Sequence, residues 1–232
     1  MENIQKNLRS IQQRINKAAE RSGHDPGSIR LVAVSKRHDS EAVQRALEAG
    51  QLVFGENYLQ EAREKIEKIG PEPGLKWHFI GHLQSNKAKQ AALLFDMIET
   101  VDRLKLAKAL DRYAGEAGRK LSILVQINIG GEEQKAGVSP QEAEQLISNI
   151  SEYPNLRIQG LMTMPPWRSD PEEVRPWFRK LRLMAEDFRS KGCLAEKDKL
   201  ELSMGMSHDF ETAIEEGATL VRVGTAIFGP RP

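Results

Sequence analysis

The chain has 232 residues, 39% of them hydrophobic and 29% charged, with a formal net charge of +1; this fits one sizeable core and gives no electrostatic case for a nucleic-acid or membrane-surface partner. Cys193 is the single cysteine, which excludes an internal disulfide and points to a reducing, cytoplasmic home. The first residues lack a signal-peptide core, and no apolar run is long enough to span a bilayer.

Ile4, Leu8, Ile11 and Ile15 recur at helical spacing and predict an amphipathic helix ending near Gly23, with Pro26-Gly27 as the following loop. Residues 29–34 read as a strand buried on both faces. Asp39 or Ser40 caps the next helix, which turns Val43, Ala46 and Leu47 inward and stops at Gly50. Residues 52–54 form a short strand closed by Gly55, Glu56, Asn57 and Tyr58, and a helix runs on to about Ile69. The third strand is 77–80, ending at Gly81, with 85–94 helical. The fourth is 96–101, followed by a helix from Asp102 to near Gly118. Residues 121–129 make the longest strand pattern, ending in Gly130-Gly131. Pro140 opens a helix reaching Ile150. Residues 156–162 form the sixth strand, and Pro165-Pro166 precedes a helix over about 172–188. The seventh strand, 200–203, passes through Met204, Gly205, Met206 and Ser207 to a helix beginning near His208 or Asp209. Gly217 stops that helix. The eighth strand, 220–223, leads through Gly224-Thr225 to a short helical turn.

Eight strands alternating with helices predict a single α/β domain over residues 1–232: a (β/α)8 TIM barrel with an extra N-terminal helix. An open doubly wound sheet is the alternative. The Gly-x-Gly-x-x-Gly turn that such a sheet usually carries after its first strand is missing.

In a barrel the loops following the strands gather on one face. The strand ends supply Lys36, Asn57, Gly81-His82, Asn128, Met162, residues 203–207 and residues 222–225. These are mostly one amine among small, amide and hydroxyl groups. No metal-ligand spacing, nucleophile elbow or Walker loop occurs. The loops after the last two strands carry Gly205 and Gly224 at helix starts, where barrels often bind phosphate; the plainer reading is two tight turns. Arg222 lies within a buried strand and needs an acceptor, either Glu201 on the neighbouring strand or a ligand. Lys36 stands where the first strand ends. A lysine, a phosphate cradle and no metal fit a Schiff base with pyridoxal phosphate, or a Schiff-base aldolase acting on a phosphosugar. His78 reads as a core histidine or a ligand contact, and Asn57 as a helix cap or a ligand contact. Trp77, Trp167 and Trp177 read as packing or surface aromatics.

Six stretches carry a more specific signal: L-V-A-V-S-K at 31–36, F-G-E-N-Y at 54–58, W-H-F-I-G-H-L-Q-S-N-K at 77–87, G-L-M-T-M at 160–164, L-S-M-G-M-S at 202–207 and V-R-V-G-T-A-I-F-G at 221–229. In this set and order the chain resembles the pyridoxal phosphate homeostasis protein family, related to the alanine racemase N-terminal domain. The resemblance implies a barrel holding pyridoxal phosphate as a Schiff base on Lys36. It also implies phosphate contacts from Ser203, Gly224 and Thr225, Arg222 facing the pyridine nitrogen, and Asn57, His78 and Met162 lining the ring. It implies a role in vitamin B6 balance, as a buffer or carrier passing the cofactor to apo-enzymes, rather than strong catalysis. An arginine at the pyridine nitrogen would weaken the ring as an electron sink. Only seven residues follow Thr225, so no racemase-type second domain is expected to supply another acid or base, and a monomer is expected. The rival within the same cofactor class is a weak racemase, for which His78 or His82 would be the second base.

Overall fold

The computed structural model describes residues 4–132, 134–194 and 200–230. Eight parallel strands close into a barrel in sequence order: β1 (Arg30–Val34), β2 (Val53–Glu56), β3 (Lys76–Phe79), β4 (Met97–Val101), β5 (Leu121–Ile127), β6 (Leu156–Thr163), β7 (Glu201–Ser203) and β8 (Leu220–Val223). β1 closes the ring by pairing with β8, Val32 opposite Arg222 and Ala33 opposite Val223. The predicted TIM barrel is the observed fold.

An outer layer of helices covers the strands. The N-terminal helix α1 (Ile4–Ser22) buries Ile4, Leu8, Ile11, Ile15, Ala18 and Ala19. This stripe packs on α8 (Phe210–Glu215) and α9 (Thr225–Phe228), and Asn7 donates to the Ile227 carbonyl at 2.9 Å. The extra helix therefore braces the segments that follow β7 and β8. Between these lie α2 (Ser40–Glu48), α3 (Leu59–Ile69), α4 (Ala88–Leu94), α5 (Leu104–Glu116), α6 (Ala143–Ser151) and α7 (Arg175–Ser190). Asp39, not Ser40, caps α2, its carboxylate accepting from the Ala42 N–H at 2.7 Å.

Four local details differ from the sequence reading. Pro26–Ser28 is a 3-10 turn capped by Asp25 rather than open loop. β2 starts at Val53 and runs through Gly55 and Glu56, because Lys65 at 2.6 Å partners the buried Glu56 carboxylate and lets it lie in the sheet. The longest strand is β6, at eight residues, against seven for β5. α6 begins at Ala143, not Pro140. Pro140 lies in a turn closed by Ser139, whose hydroxyl donates to Glu142 at 2.6 Å and accepts from the Glu142 N–H at 3.3 Å.

The two faces of the strands bury different sets. Leu31, Ala33, Ile123, Val125, Leu161, Val221 and Val223 join the large core shared with the helices. Val32, Met97, Leu124, Met162 and Leu220 form a separate cluster, which is the filling of the barrel itself. β6 pairs with β5 along its length, with a register shift between Ile123 and Leu124 where Gly160 falls. A Cβ on Gly160 would lie 1.9 Å from the Glu201 carbonyl oxygen, so any side chain there pries β6 from β7. Gly160→Ala is expected to destabilise the fold by roughly 3 kcal/mol, read as a lower urea midpoint at unchanged slope.

Candidate functional site

At the C-terminal ends of the strands lies a cavity of about 480 Å³, within the range of small-molecule sites. β1 and the segment after it supply Val34, Lys36 and His38. Asn57 follows β2 and Ile80 follows β3. Met164 and Trp167 follow β6, and Met206, Ser207 and His208 follow β7. β8 and its loop supply Arg222, Gly224 and Thr225. Lys36 therefore shares one cavity with Arg222 and with the two glycine-containing loops. No carboxylate lines the cavity among the described residues, so its walls favour an anion. Among the described residues no group of three or more His, Cys, Asp or Glu could hold a metal ion.

The walls are shaped by close backbone approaches. A Cβ on Gly224 would stand 3.0 Å from the Val34 carbonyl, so glycine lets the β8 loop lie against β1 beside Lys36. Gly205, at φ 89°, presses its loop onto α8, where a Cβ would come within 2.6 Å of Ala213. The Met206 N–H donates to Asp209 at 2.6 Å and the Arg222 N–H to the Gly205 carbonyl at 3.0 Å. The segment carrying Met206 and Ser207 is thus tied to both α8 and β8.

Arg222 is the floor, and it belongs to a buried chain of polar groups. Its Nη1 donates to Ser203 Oγ at 2.5 Å and its Nη2 to the Thr163 carbonyl at 2.8 Å. Ser203 Oγ donates to Glu99 Oε2 at 2.5 Å, and Glu99 Oε1 lies 2.7 Å from His78 Nδ1. Burial pushes the Glu99 carboxyl up, but His78, Arg222 and Ser203 together hold it below the usual carboxylate range. Burial also draws the Arg222 guanidinium down from its usual value, against the pull of Glu99 and Asp209. The alternative partner for Arg222, Glu201, is engaged elsewhere: it pairs with Arg30 at 2.7 Å and accepts from Thr219 at 2.6 Å.

Asn57 does not cap α3. The N-cap position is Tyr58, without a side-chain bond, and Asn57 Oδ1 is buried with no partner among the described residues. An orphaned acceptor on the wall of a cavity lined by an amine, a guanidinium and two hydroxyls suits a phosphorylated ligand with a polar ring. Those donors and that acceptor fit pyridoxal phosphate.

Residues 2–232 match the family model "Alanine racemase, N-terminal domain". A pyridoxal phosphate homeostasis protein of Aquifex aeolicus is 42% identical over 224 residues, covering 97% of this chain and 96% of its own. One from Escherichia coli is 43% identical over 235 residues, covering 100% and 98%. The chain belongs to the pyridoxal phosphate homeostasis protein family. The solved structure of PipY from Synechococcus elongatus with PLP (pyridoxal phosphate) bound aligns with a TM-score of 0.83 at 38% identity, covering 97% of this chain and 100% of that one. Alanine racemase from Corynebacterium glutamicum, 19% identical, aligns over 99% of this chain and 61% of its own at a TM-score of 0.74, a likeness of fold.

Of the residues the sequence singled out, Lys36, Asn57, Arg222, Gly224 and Thr225 line the cavity, whereas His78, Met162 and Ser203 do not. All three lie below it. Met162 fills the barrel interior, and His78 and Ser203 are spent on Glu99. The serine on the cavity wall is Ser207. His82 lines a different hollow with Tyr58 and Lys87, and Asn128 braces its own loop by donating to the Glu132 carbonyl at 2.8 Å. Trp167, read as packing or surface, stands 70% exposed on the cavity rim and stacks on His208 at 6.2 Å. No sequence signal marked it. Glu99 does carry one, as the lone carboxylate inside the apolar run of β4.

Glu99→Gln leaves Arg222 and His78 without their buried anion and is expected to destabilise the fold by roughly 3 kcal/mol at neutral pH. The native Glu99 pKa is depressed, so its contribution is full above the unfolded carboxylate pKa and is lost as pH falls through the native one. Urea unfolding of both proteins at pH 7 and pH 4 should show the gap narrowing in acid.

Proposed function

We propose that this protein is a pyridoxal phosphate carrier and buffer, holding the cofactor reversibly as a Schiff base on Lys36. The observation that carries the reading is the single cavity in which Lys36, Arg222, Thr225 and Gly224 meet without a carboxylate. When bound, the cofactor supplies an aldehyde that condenses with primary amines. Lys36 provides the amine. The loops after β7 and β8, with Ser207, Gly224 and Thr225, hold the phosphate. Arg222 faces the pyridine nitrogen and keeps it unprotonated, which weakens the ring as an electron sink and favours holding over turnover. Asn57 offers its unpartnered oxygen to a polar ring substituent. His78 and Ser203 act one layer down, steadying Glu99 and Arg222. The exposed rim at Trp167 and Met164 suits hand-over to apo-enzymes. The lone Cys193 supports a cytoplasmic setting, and no helix among the described residues is long and apolar enough to cross a membrane.

A weak racemase activity is the second reading. It is favoured by His38 and His208, two acid–base groups on the cavity wall, rather than by His78 or His82. Exchange of amino-acid α-protons in deuterated water would reveal it, and its loss in His208→Ala would assign the base.

The cofactor reading is tested by the visible spectrum before and after borohydride. The parent is expected to be yellow when loaded and to bleach with a pyridoxyl group on Lys36. Lys36→Ala should give no reducible chromophore, and retention of one would sink the assignment. Arg222→Ala should shift the band and weaken retention roughly tenfold, the loss of one charge-assisted bond.

A further inference from the structure

The residues on either side of Lys36 are held by groups from the end of β2 and from α3 that have no place on the cavity wall. Ser35 is fully buried. Its hydroxyl donates to Glu56 Oε1 at 2.6 Å, and its carbonyl accepts from Lys65 Nζ at 2.7 Å. Lys65 Nζ also reaches Glu56 Oε1 at 2.6 Å. On the other side, the Arg37 N–H donates to Glu61 Oε2 at 2.8 Å. Arg37 is the one non-glycine with positive φ among the described residues, at 63°, a conformation that persists only where the surroundings enforce it. Glu61 and Lys65 are one turn apart on α3, 3.7 Å from each other.

This arrangement is not accounted for by stability. Lys65 and Glu56 are both buried, and Glu56 Oε2 has no partner among the described residues. Burial pushes the Glu56 carboxyl up against the pull of Lys65. Such a pair can often be replaced by apolar groups at little loss of stability. What it does is hold Ser35, on one side of Lys36, while Glu61 on the same helix as Lys65 holds Arg37 on the other.

We propose that Glu56, Lys65 and Glu61 form a clamp that sets the backbone at residues 35–37 and aims the Lys36 amine into the cavity. They are positioning residues for Schiff-base formation. In that step the Lys36 nitrogen and the aldehyde carbon form a C=N bond and one water leaves. The clamp rests on the cofactor reading above and extends it to residues outside the cavity.

The test compares two probes on the full chain. Pyridoxal phosphate needs both the cradle and an aimed lysine. Pyridoxine phosphate, which has a hydroxymethyl group in place of the aldehyde, needs the cradle alone. The double variant Glu56→Gln/Lys65→Met removes the pair without leaving a bare charge. It is expected to bind pyridoxine phosphate within about twofold of the parent and pyridoxal phosphate about tenfold more weakly, with a smaller share trapped on Lys36 by borohydride. Glu61→Ala, which alters a half-exposed side chain, is expected to show the same split at about threefold and decides the matter if the double variant does not fold. Equal losses for both probes, or no loss for either, would overturn the clamp while leaving the cofactor reading intact. A parent that forms no Schiff base at all would remove both.

Discussion

A guanidinium inside a barrel demands an anion within reach, and much of this structure answers that demand. Arg222 is on β8, yet its charge is balanced by Glu99 on β4, with Ser203 of β7 carrying the hydrogen bond between them. Thr163 of β6 takes the second guanidinium bond and His78 of β3 the second carboxylate oxygen. Five of the eight strands are therefore joined by polar bonds beneath the cavity, in a medium where each bond is strong and each loss severe. A floor built this way is stiff. It holds the guanidinium edge in one place against the cavity.

The chemistry above the floor follows from closure. β1 and β8 are the first and last strands, and only their pairing brings Lys36 beside Gly224 and Thr225. The N-terminal helix enters here as well. By packing on α8 and α9 it braces the two segments that carry the anion-facing loops. An element that looked like an addition to the barrel in fact supports its working face.

Some of these features are written in the local sequence and others arise only when the barrel closes. Buried parallel strands and capped helices announce themselves, so β1, a cap at Asp39 or Ser40 and the alternation of elements are legible. Which side of a strand faces the barrel interior is not. Strands buried on both faces carry no polar–apolar alternation to orient them. Met162 and Ser203 lie at strand ends in the sequence, but Met162 and Leu220 face the filling of the barrel while Leu161 and Val221 face the helices. Ser203 still belongs to β7 and its hydroxyl serves Glu99, so the wall position falls to Ser207, four residues on. Charged residues within apolar runs were the other blind spot. Glu56 and Glu99 interrupt strand patterns, and their partners Lys65, His78 and Arg222 come from elsewhere in the chain. Pairing at such separations is a property of the closed fold and leaves no local trace.

Glu56 and Glu99, both fully buried, explain a further feature of the site. A cavity that attracts an anion needs cations on its walls, and uncompensated cations in a closed barrel would be costly. Here the compensating charges stand one layer back. Glu99 sits behind Arg222, separated from it by a serine hydroxyl, and Glu56 sits behind the strand end that bears Lys36, separated by Ser35. Seen from the cavity, the cations stand on the wall and the carboxylates only behind intervening protein. Glu56 pairs with Lys65 and Glu99 with His78 behind the wall, which leaves the wall itself positive. The same two serines, at the ends of β7 and β1, are what let one sheet serve both needs.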